Sequence, residues 1–332
     1  MNYSFIRKLL FLLNPETAHR VTLAGLRAAH FFGLCQRMAP QVSSTPKTIM
    51  GISFPNPIGL AAGFDKNGDA IDALGALGLG FLEIGTITPR PQAGNPPPRI
   101  FRLPESRALI NRLGFNNKGV DYLVNRLKKM RYRGVLGINI GKNQDTPIES
   151  ASQDYLYAFR ALAPFASYIT MNISSPNTKN LRTLQQGDLL FSLLQTMKEE
   201  QSALQKYVPL VVKISPDLTS EELKTMADIF LAQKVDGVIA TNTTISRNEV
   251  HDSRYAEKEG GLSGKPLSAR STTVIRELYA LLQDKIPIIA SGGIVDVQDG
   301  LDKIAAGACL LQLYTGLVYR GPQLLFDILN QH

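Results

Sequence analysis

The chain has 332 residues, 44% of them hydrophobic and 19% charged, which places it among soluble globular proteins with apolar material for one large barrel domain or two ordinary ones. A formal net charge of +8 admits an anionic ligand or an acidic membrane surface; nucleic acid is set aside, because the basic residues are scattered, with neither a zinc-finger spacing nor an aromatic RNA-binding signature. The two cysteines, Cys35 and Cys309, stand far apart with no Cys/His cluster, so a disulfide framework, a zinc site and a Cys-ligated iron–sulfur cluster lack ligands, no metal is expected, and a reducing compartment fits.

Residues 1–45 differ from the rest. Phe5-Ile6-Arg7-Lys8-Leu9-Leu10-Phe11-Leu12-Leu13 is apolar and basic, too short to span a bilayer, lacks a small-residue cleavage site, and reads as a short amphipathic helix. Asn14-Pro15-Glu16 supplies an N-cap, a proline at the first helical position and an early acidic residue, so a second helix is expected to run to a stop near Gly33. The two predict a hairpin whose mixture of Leu, Phe, Lys and Arg suits packing on the main domain and a membrane surface alike.

From residue 46 onward, β-rich runs alternate with helical stretches. Strands are expected at 58–63, 81–87, 135–141, 168–175, 210–215, 237–243, 287–293 and 309–315, with helices such as 119–130, 189–206, 221–233 and 271–282 between them. That order predicts an α/β fold, a (β/α)8 TIM barrel over 46–332 carrying a small N-terminal helical extension. A doubly wound open sheet fits less well, since the first strand carries no GxGxxG. The connections at 88–115 and 245–265 are too long for plain barrel loops and are expected to build or cover a site.

The strand ends are polar. Lys66, Thr86, Asn139, Asn172, Ser175, Asn177, Lys213, Thr241, Asn242, Thr243, Gly293, Tyr314 and Thr315 all fall there, and a barrel converges them on one mouth. A lone Asn is commonly a cap or turn residue; recurrence at nearly every strand end argues for a site. Asn111, Asn172, Asn177 and Asn242 offer paired donors and acceptors without charge, which suits a flat pyrimidine-like or flavin-like ring. Gly292-Gly293 and Tyr314-Thr315-Gly316 occupy the places where barrels often bind phosphate, and Gly260-Gly261-Leu262-Ser263-Gly264 adds a turn that lets backbone approach a ligand.

Lys213, inside the apolar run Val211-Val212-Lys213-Ile214, must face inward, where a lysine pairs with an anion, shifts its pKa or acts chemically. Two roles fit: a Schiff-base lysine, or a cation stabilising negative charge on a cofactor ring, which the asparagines favour. Lys66 is either a carboxylate ligand or an exposed loop lysine. None of the four histidines (His19, His30, His251, His332) is near Ser175 in sequence, so a hydrolase triad is unsupported. Ser175 would instead move a proton through a water or hydroxyl relay, from a C–H acidified by a neighbouring carbonyl.

The motifs Asn56-Pro57-Ile58-Gly59-Leu60-Ala61-Ala62-Gly63-Phe64-Asp65-Lys66, Glu83-Ile84-Gly85-Thr86-Ile87-Thr88-Pro89-Arg90-Pro91, Asn111-Arg112-Leu113-Gly114-Phe115-Asn116-Asn117, Asn139-Ile140-Gly141-Lys142-Asn143, Asn172-Ile173-Ser174-Ser175-Pro176-Asn177-Thr178 and Thr241-Asn242-Thr243-Thr244, in this order, resemble those of the dihydroorotate dehydrogenases. The match covers essentially the whole chain, and Ser175, where class 1 enzymes carry cysteine, together with the N-terminal extension, resembles the class 2, quinone-dependent, membrane-associated branch. The resemblance implies oxidation of (S)-dihydroorotate to orotate in pyrimidine (UMP) biosynthesis. It implies FMN held by Ala62, Gly63, Phe64, Asp65, Lys66, Thr86, Asn139, Asn172, Lys213, Thr241, Gly264, Gly293, Tyr314 and Thr315. It places dihydroorotate on Lys66, Asn111, Arg112, Leu113, Gly114, Phe115, Asn172, Asn177, Asn242 and Thr243, with Ser175 taking the C5 proton as C6 gives up hydride. A quinone tunnel for ubiquinone or menaquinone, lined by His19, Arg102 and Tyr314, and peripheral attachment through the N-terminal helices follow from the same resemblance. The short extension looks bacterial, which implies the cytoplasmic face of the inner membrane. The rival readings are a class 1 enzyme with a soluble acceptor, a Schiff-base lyase on Lys213, and a membrane-binding module on a barrel scaffold.

Overall fold

The computed structural model describes residues 3–35, 45–250 and 254–331. The junction between hairpin and barrel at 36–44, His251 and His332 lie outside them. Two helices open the chain, α1 (Tyr3–Leu12) and α2 (Pro15–Phe31), and the Asn14 side chain accepts the Glu16 N–H at 3.0 Å as the capping signal requires. Gly33 closes α2 with a left-handed φ of 68°.

One face of this hairpin is latched to the body. The Tyr3 hydroxyl donates to the Val318 carbonyl at 2.8 Å, Arg7 donates to the Tyr319 carbonyl at 2.6 Å, and Phe11 meets the Tyr319 ring edge-on at 5.6 Å. Arg99 grips the Glu16 carboxylate, Nε at 3.1 and 3.0 Å and Nη2 at 2.9 Å. Leu23 and Leu26 of α2 pack on the main core. The opposite face is bare and apolar: Leu12 and Phe31 are each 83% exposed and Phe32 is 73% exposed. The amphipathic pattern thus packs one side of the hairpin on the main domain and leaves the other exposed. No helix among the described residues is long and apolar enough to cross a membrane.

Eight parallel strands close a barrel in chain order: β3 (Ile58–Leu60), β4 (Phe81–Ile87), β7 (Val135–Ile140), β8 (Tyr168–Asn172), β9 (Leu210–Ile214), β10 (Gly237–Ala240), β12 (Ile288–Ser291) and β13 (Leu310–Leu313). These are the eight strands the sequence predicts. Most end earlier than predicted, because the polar residues that follow leave the ladder and turn over the mouth. The expected helices form at Gly119–Leu127, Gly187–Ser202, Ser220–Ala232 and Ser268–Leu282.

Two features were not legible in the chain. A short antiparallel pair, β1 (Lys47–Ile49) and β2 (Ile52–Phe54), turns through Met50 and Gly51, both with positive φ, and plugs the barrel floor. There Phe54 meets Phe81 edge-on at 5.3 Å and packs with Val135, Tyr168, Val211, Ile239, Ile289 and Leu310. At the other end the two long connections join. β5 (Ile100–Leu103), β6 (Ala108–Asn111) and β11 (Gly261–Gly264) form an antiparallel ribbon with Gly261 opposite Asn111 and a small core of its own around Phe101, Ile110 and Leu262.

Candidate active site at the barrel mouth

Inward side chains on a barrel strand recur every second residue. Phe81, Tyr168, Val211 and Leu310 belong to the apolar floor; two residues further along the same strands stand Glu83, Thr170, Lys213 and Gln312, all buried. The interior thus changes from dry to polar in one step. Glycine is required at this level at position 137, where a Cβ would lie 2.2 Å from the Tyr168 ring.

Glu83 is the centre of the polar layer. Its Oε2 accepts from the Tyr168 hydroxyl at 3.0 Å, the Thr170 hydroxyl at 3.1 Å and Gln312 Nε2 at 2.8 Å, while Oε1 accepts from Asn139 Nδ2 at 2.9 Å. A register shift in β4 between Ile84 and Ile87 then lets Thr86, three residues on, share the inward face. Thr86 Oγ1 donates to Asn139 Oδ1 at 2.6 Å and accepts from Asn172 Nδ2 at 2.9 Å. Asn172 Oδ1 accepts from Asn242 Nδ2 at 3.2 Å and from the Ser174 hydroxyl at 3.2 Å. Four predicted site residues, Thr86, Asn139, Asn172 and Asn242, are thereby one hydrogen-bonded chain.

Lys213 lies beside this chain, paired across the ladder with Asn172. It is buried, and its ammonium donates to no described residue. Burial holds its pKa below the ordinary lysine value, opposed by the charge of Glu83. An uncommitted cation at this depth fits a ligand that brings negative charge.

The loop after β8 carries Ser175, buried, with Oγ accepting the Asn177 N–H at 3.2 Å. Asn177 Nδ2 donates to Asn111 Oδ1 at 3.0 Å, and Asn111 Nδ2 reaches the Gly261 carbonyl at 3.4 Å. Thr243 sits against the same ribbon: a Cβ on Gly261 would overlap its Oγ1. Phe115 is buried with a positive φ of 54°, and Asn117 Nδ2 donates to its carbonyl at 2.7 Å; Leu113 and Gly114 spend their carbonyls on Asn95 N and Gln92 Nε2. Arg112 turns outward, its Nε donating to the Pro98 carbonyl at 3.1 Å, and with Asn95, Asn177, Lys179 and Arg247 lines a cleft of about 680 Å³ beside the ribbon.

On the other side of the mouth lies the 62–66 loop. Lys66 donates to the Gly63 carbonyl at 2.9 Å, and burial, aided by the charge of Arg99, lowers its pKa to about 8. The Asp65 carboxylate is committed to the Asp69 and Ala70 N–H groups at 2.9 and 2.7 Å, so its side chain caps the following turn. Phe64 is the middle of three rings in series: His19 stacks edge-on at 5.4 Å and Tyr314 at 5.6 Å. Burial and the Lys66 charge lower the His19 pKa to about 4, against a hydrogen bond to the Phe64 backbone, so the ring is neutral near pH 7. Arg102 sits against the hairpin: its guanidinium caps the carboxyl end of α1, donating to Phe11 and Leu13 carbonyls at 3.2 and 2.9 Å with Phe11 beneath at 4.5 Å. No hydrogen bond or ring contact joins it to His19 or Tyr314.

The last predicted group gathers at the ends of β11, β12 and β13. Gly264 and Gly293 take φ of 95° and 79°, and a Cβ on either would lie 2.3 Å from a neighbour, Arg107 O and Ser268 Cα respectively. Thr315 bonds Ser263 at 2.9 Å, joining ribbon and barrel. Thr241 spends its hydroxyl on the Asn242 carbonyl at 3.0 Å.

Sequence reasoning passed over Glu83, Gln312 and Arg182. Glu83 in Phe81-Leu82-Glu83-Ile84 carries the signal that marked Lys213, a charge inside an apolar run. Arg182 ties the Ser175 loop to the Thr243 loop, donating to Ser174 O and Thr243 O at 3.0 Å each and to Asp217 at 2.8 Å, and no local pattern reveals that.

Comparison with known proteins agrees with this arrangement. The sequence family described as "Dihydroorotate dehydrogenase" matches residues 45–331. A relative from Nitrosospira multiformis named "Dihydroorotate dehydrogenase (quinone)" is 55% identical over 99% of this chain and 95% of its own, and one of the same name from Acinetobacter baylyi is 53% identical over 99% of each. Among solved structures, DHODH from Eimeria tenella in complex with ferulenol superposes with a TM-score of 0.87 at 39% identity, covering 96% of this chain and 90% of that one. By sequence over nearly its whole length and by the barrel that carries these residues, the chain belongs to the dihydroorotate dehydrogenase family.

Proposed function

We propose that the chain oxidises (S)-dihydroorotate to orotate, with FMN as the hydride acceptor and a membrane quinone as the final oxidant, in pyrimidine biosynthesis. The observation that carries this reading is the mouth itself: an unbonded buried ammonium beside a chain of amides, with Gly264 and Gly293 turning beside it at positive φ. Those features fit a flat, phosphorylated, electron-accepting ring. FMN supplies the hydride acceptor when bound. Thr86, Asn139, Asn172 and Thr241 would orient it, the 62–66 loop and Gly264, Gly293, Tyr314 and Thr315 would hold its edges, and Lys213 would stabilise negative charge on the ring.

Dihydroorotate would sit under the ribbon, on Asn111, Asn177, Asn242 and Thr243, with the 112–115 segment closing over it and Lys66 facing its carboxylate. Ser175, held by the Asn177 N–H, takes the C5 proton and hands it to a hydroxyl or water relay. Quinone would approach along the hairpin, where the His19–Phe64–Tyr314 series runs from α2 to the end of β13. Arg102, a cap of α1, would act there by shaping the hairpin. The bare apolar face of the hairpin supports peripheral attachment to a membrane, which we assign to the cytoplasmic face of a bacterial inner membrane. The docked hairpin, Ser175 and the word quinone in the relatives' names all weigh against a soluble acceptor.

An anaerobic absorbance titration tests the whole reading. Dihydroorotate is expected to bleach a flavin band and a water-soluble quinone to restore it. Bleaching without recovery would point to a soluble acceptor, and protein that cannot take up FMN would overturn the proposal.

A further inference from the structure

Arg99, just after three prolines, is held between three parts of the molecule. Its Nε and Nη2 clasp the Glu16 carboxylate of α2 at 2.9 to 3.1 Å. Its Nη1 donates to the Ala93 and Asn95 carbonyls at 2.8 and 3.0 Å, and its own carbonyl accepts the Arg112 N–H at 2.8 Å. Asn95 carries the connection onward: its N–H donates to the Leu113 carbonyl at 3.1 Å, and its Nδ2 donates to the Arg112 carbonyl at 2.9 Å and the Asn177 carbonyl at 3.3 Å. Through Arg99 and Asn95 the hairpin therefore reaches both the 111–115 segment and the loop that carries Ser175. Gln92 and Asn117 hold Gly114 and Phe115 separately, so what Arg99 sets, together with the Asn111–Asn177 bond, is the Arg112–Leu113 end and its distance from Asn177.

The same ion pair faces Lys66. With side chains only 13% and 23% exposed, Arg99 and Glu16 act on it with little screening by water. Arg99 disfavours the Lys66 ammonium, Glu16 and Asp65 favour it, and His19, which also faces it, is neutral. Glu16 thus holds the guanidinium and also offsets its charge at Lys66. We infer that Arg99 is a positioning residue of the dihydroorotate site with Glu16 of the hairpin as its counter-ion, so that the docked hairpin completes the substrate end of the mouth. This rests on the functional reading above, in which Lys66 and the 111–115 segment hold the substrate.

The test follows orotate affinity across pH through the perturbation of the flavin spectrum, with FMN content and thermal midpoint measured alongside. In the parent, affinity is expected to fall as pH rises through about 8, where Lys66 loses its proton. Glu16→Gln keeps an oxygen for Arg99 and removes the charge, so the fall moves to lower pH. Orotate is then about threefold weaker at the parent's midpoint, while at about pH 6 it is no weaker than in the parent. Loosening of the hairpin alone would let water reach Lys66 and move the fall the other way. The double variant Glu16→Gln/Arg99→Met removes both charges: the fall returns to the parent's pH or above, yet orotate is about fivefold weaker at about pH 6, because the 93–95 turn has lost its tie. A fall that stays in place or moves up in Glu16→Gln, or a double variant that matches the parent at about pH 6, would overturn the inference. If the double variant does not fold, Arg99→Lys takes its place: the charge remains but one ammonium cannot replace the fork, so orotate weakens at about pH 6 with the fall near the parent's pH, and parent-like affinity there would also overturn it. A parent that binds no orotate, or binds it equally at every pH, refutes the functional reading instead.

Discussion

At the scale of single residues, two lysines of the mouth have lowered pKa values for the same reason, burial of a cation, and one of them makes a pH prediction. Lys66, at about 8, is charged below that pH and neutral above it. If it holds the substrate carboxylate, kcat/KM for dihydroorotate falls as pH rises through about 8, and Lys66→Arg, which stays charged, moves the fall to higher pH. A profile flat through that range in the parent would separate Lys66 from the carboxylate. Ser175→Ala should bind FMN as the parent does and slow flavin reduction by about 10²- to 10⁴-fold, the usual contribution of a positioned proton acceptor; stopped-flow reduction at the parent rate would remove Ser175 from that role. Most of these residues were legible because a strand reduces position to parity: once 210–214 is a strand, Lys213 must share a face with Val211. Thr86 was legible from its place at a strand end and not from parity, which the register shift in β4 breaks.

At the scale of elements, the site is held by connections that no local pattern announces. Arg182 is the clearest: one guanidinium fixes the loop after β8 and the loop after β10 together. Arg182→Lys keeps charge but loses the fork, and should lower the rate of flavin reduction by about 10- to 100-fold with FMN content unchanged. Loss of FMN in step with activity would show instead that the clamp supports the fold as a whole. The hairpin is held similarly by Arg99 and Glu16, partly buried. Glu16→Ala strands the guanidinium and should weaken docking by about 1–3 kcal/mol, visible as faster proteolysis between α1 and the barrel. The capping residues of α2 could be read from Asn14-Pro15-Glu16 because a cap is local. The pairing of 108–111 with 261–264 could not, because it depends on where a closed barrel delivers two distant loops.

At the scale of the whole molecule, the hairpin carries exposed basic and exposed apolar side chains together. The hairpin exposes Leu12, Phe31 and Phe32 and also basic Lys8, Arg20 and Arg27, on a chain with a net charge of +8. Binding to anionic lipid vesicles is therefore expected to survive moderate salt, and Phe31→Ser/Phe32→Ser should weaken it by about 1.5–3 kcal/mol per ring with dihydroorotate oxidation intact. Unchanged cosedimentation would place the membrane contact elsewhere. The ribbon has a bearing on how the protein is made. Asn111 waits for Gly261, 150 residues later, so during synthesis the hairpin of β5 and β6 emerges early and stands without its third strand until six barrel strands have left the ribosome. A chain released before residue 261 can collapse around its apolar floor yet has no roof over the mouth, and the order of the sequence thus withholds the substrate cleft until the barrel beneath it is nearly complete.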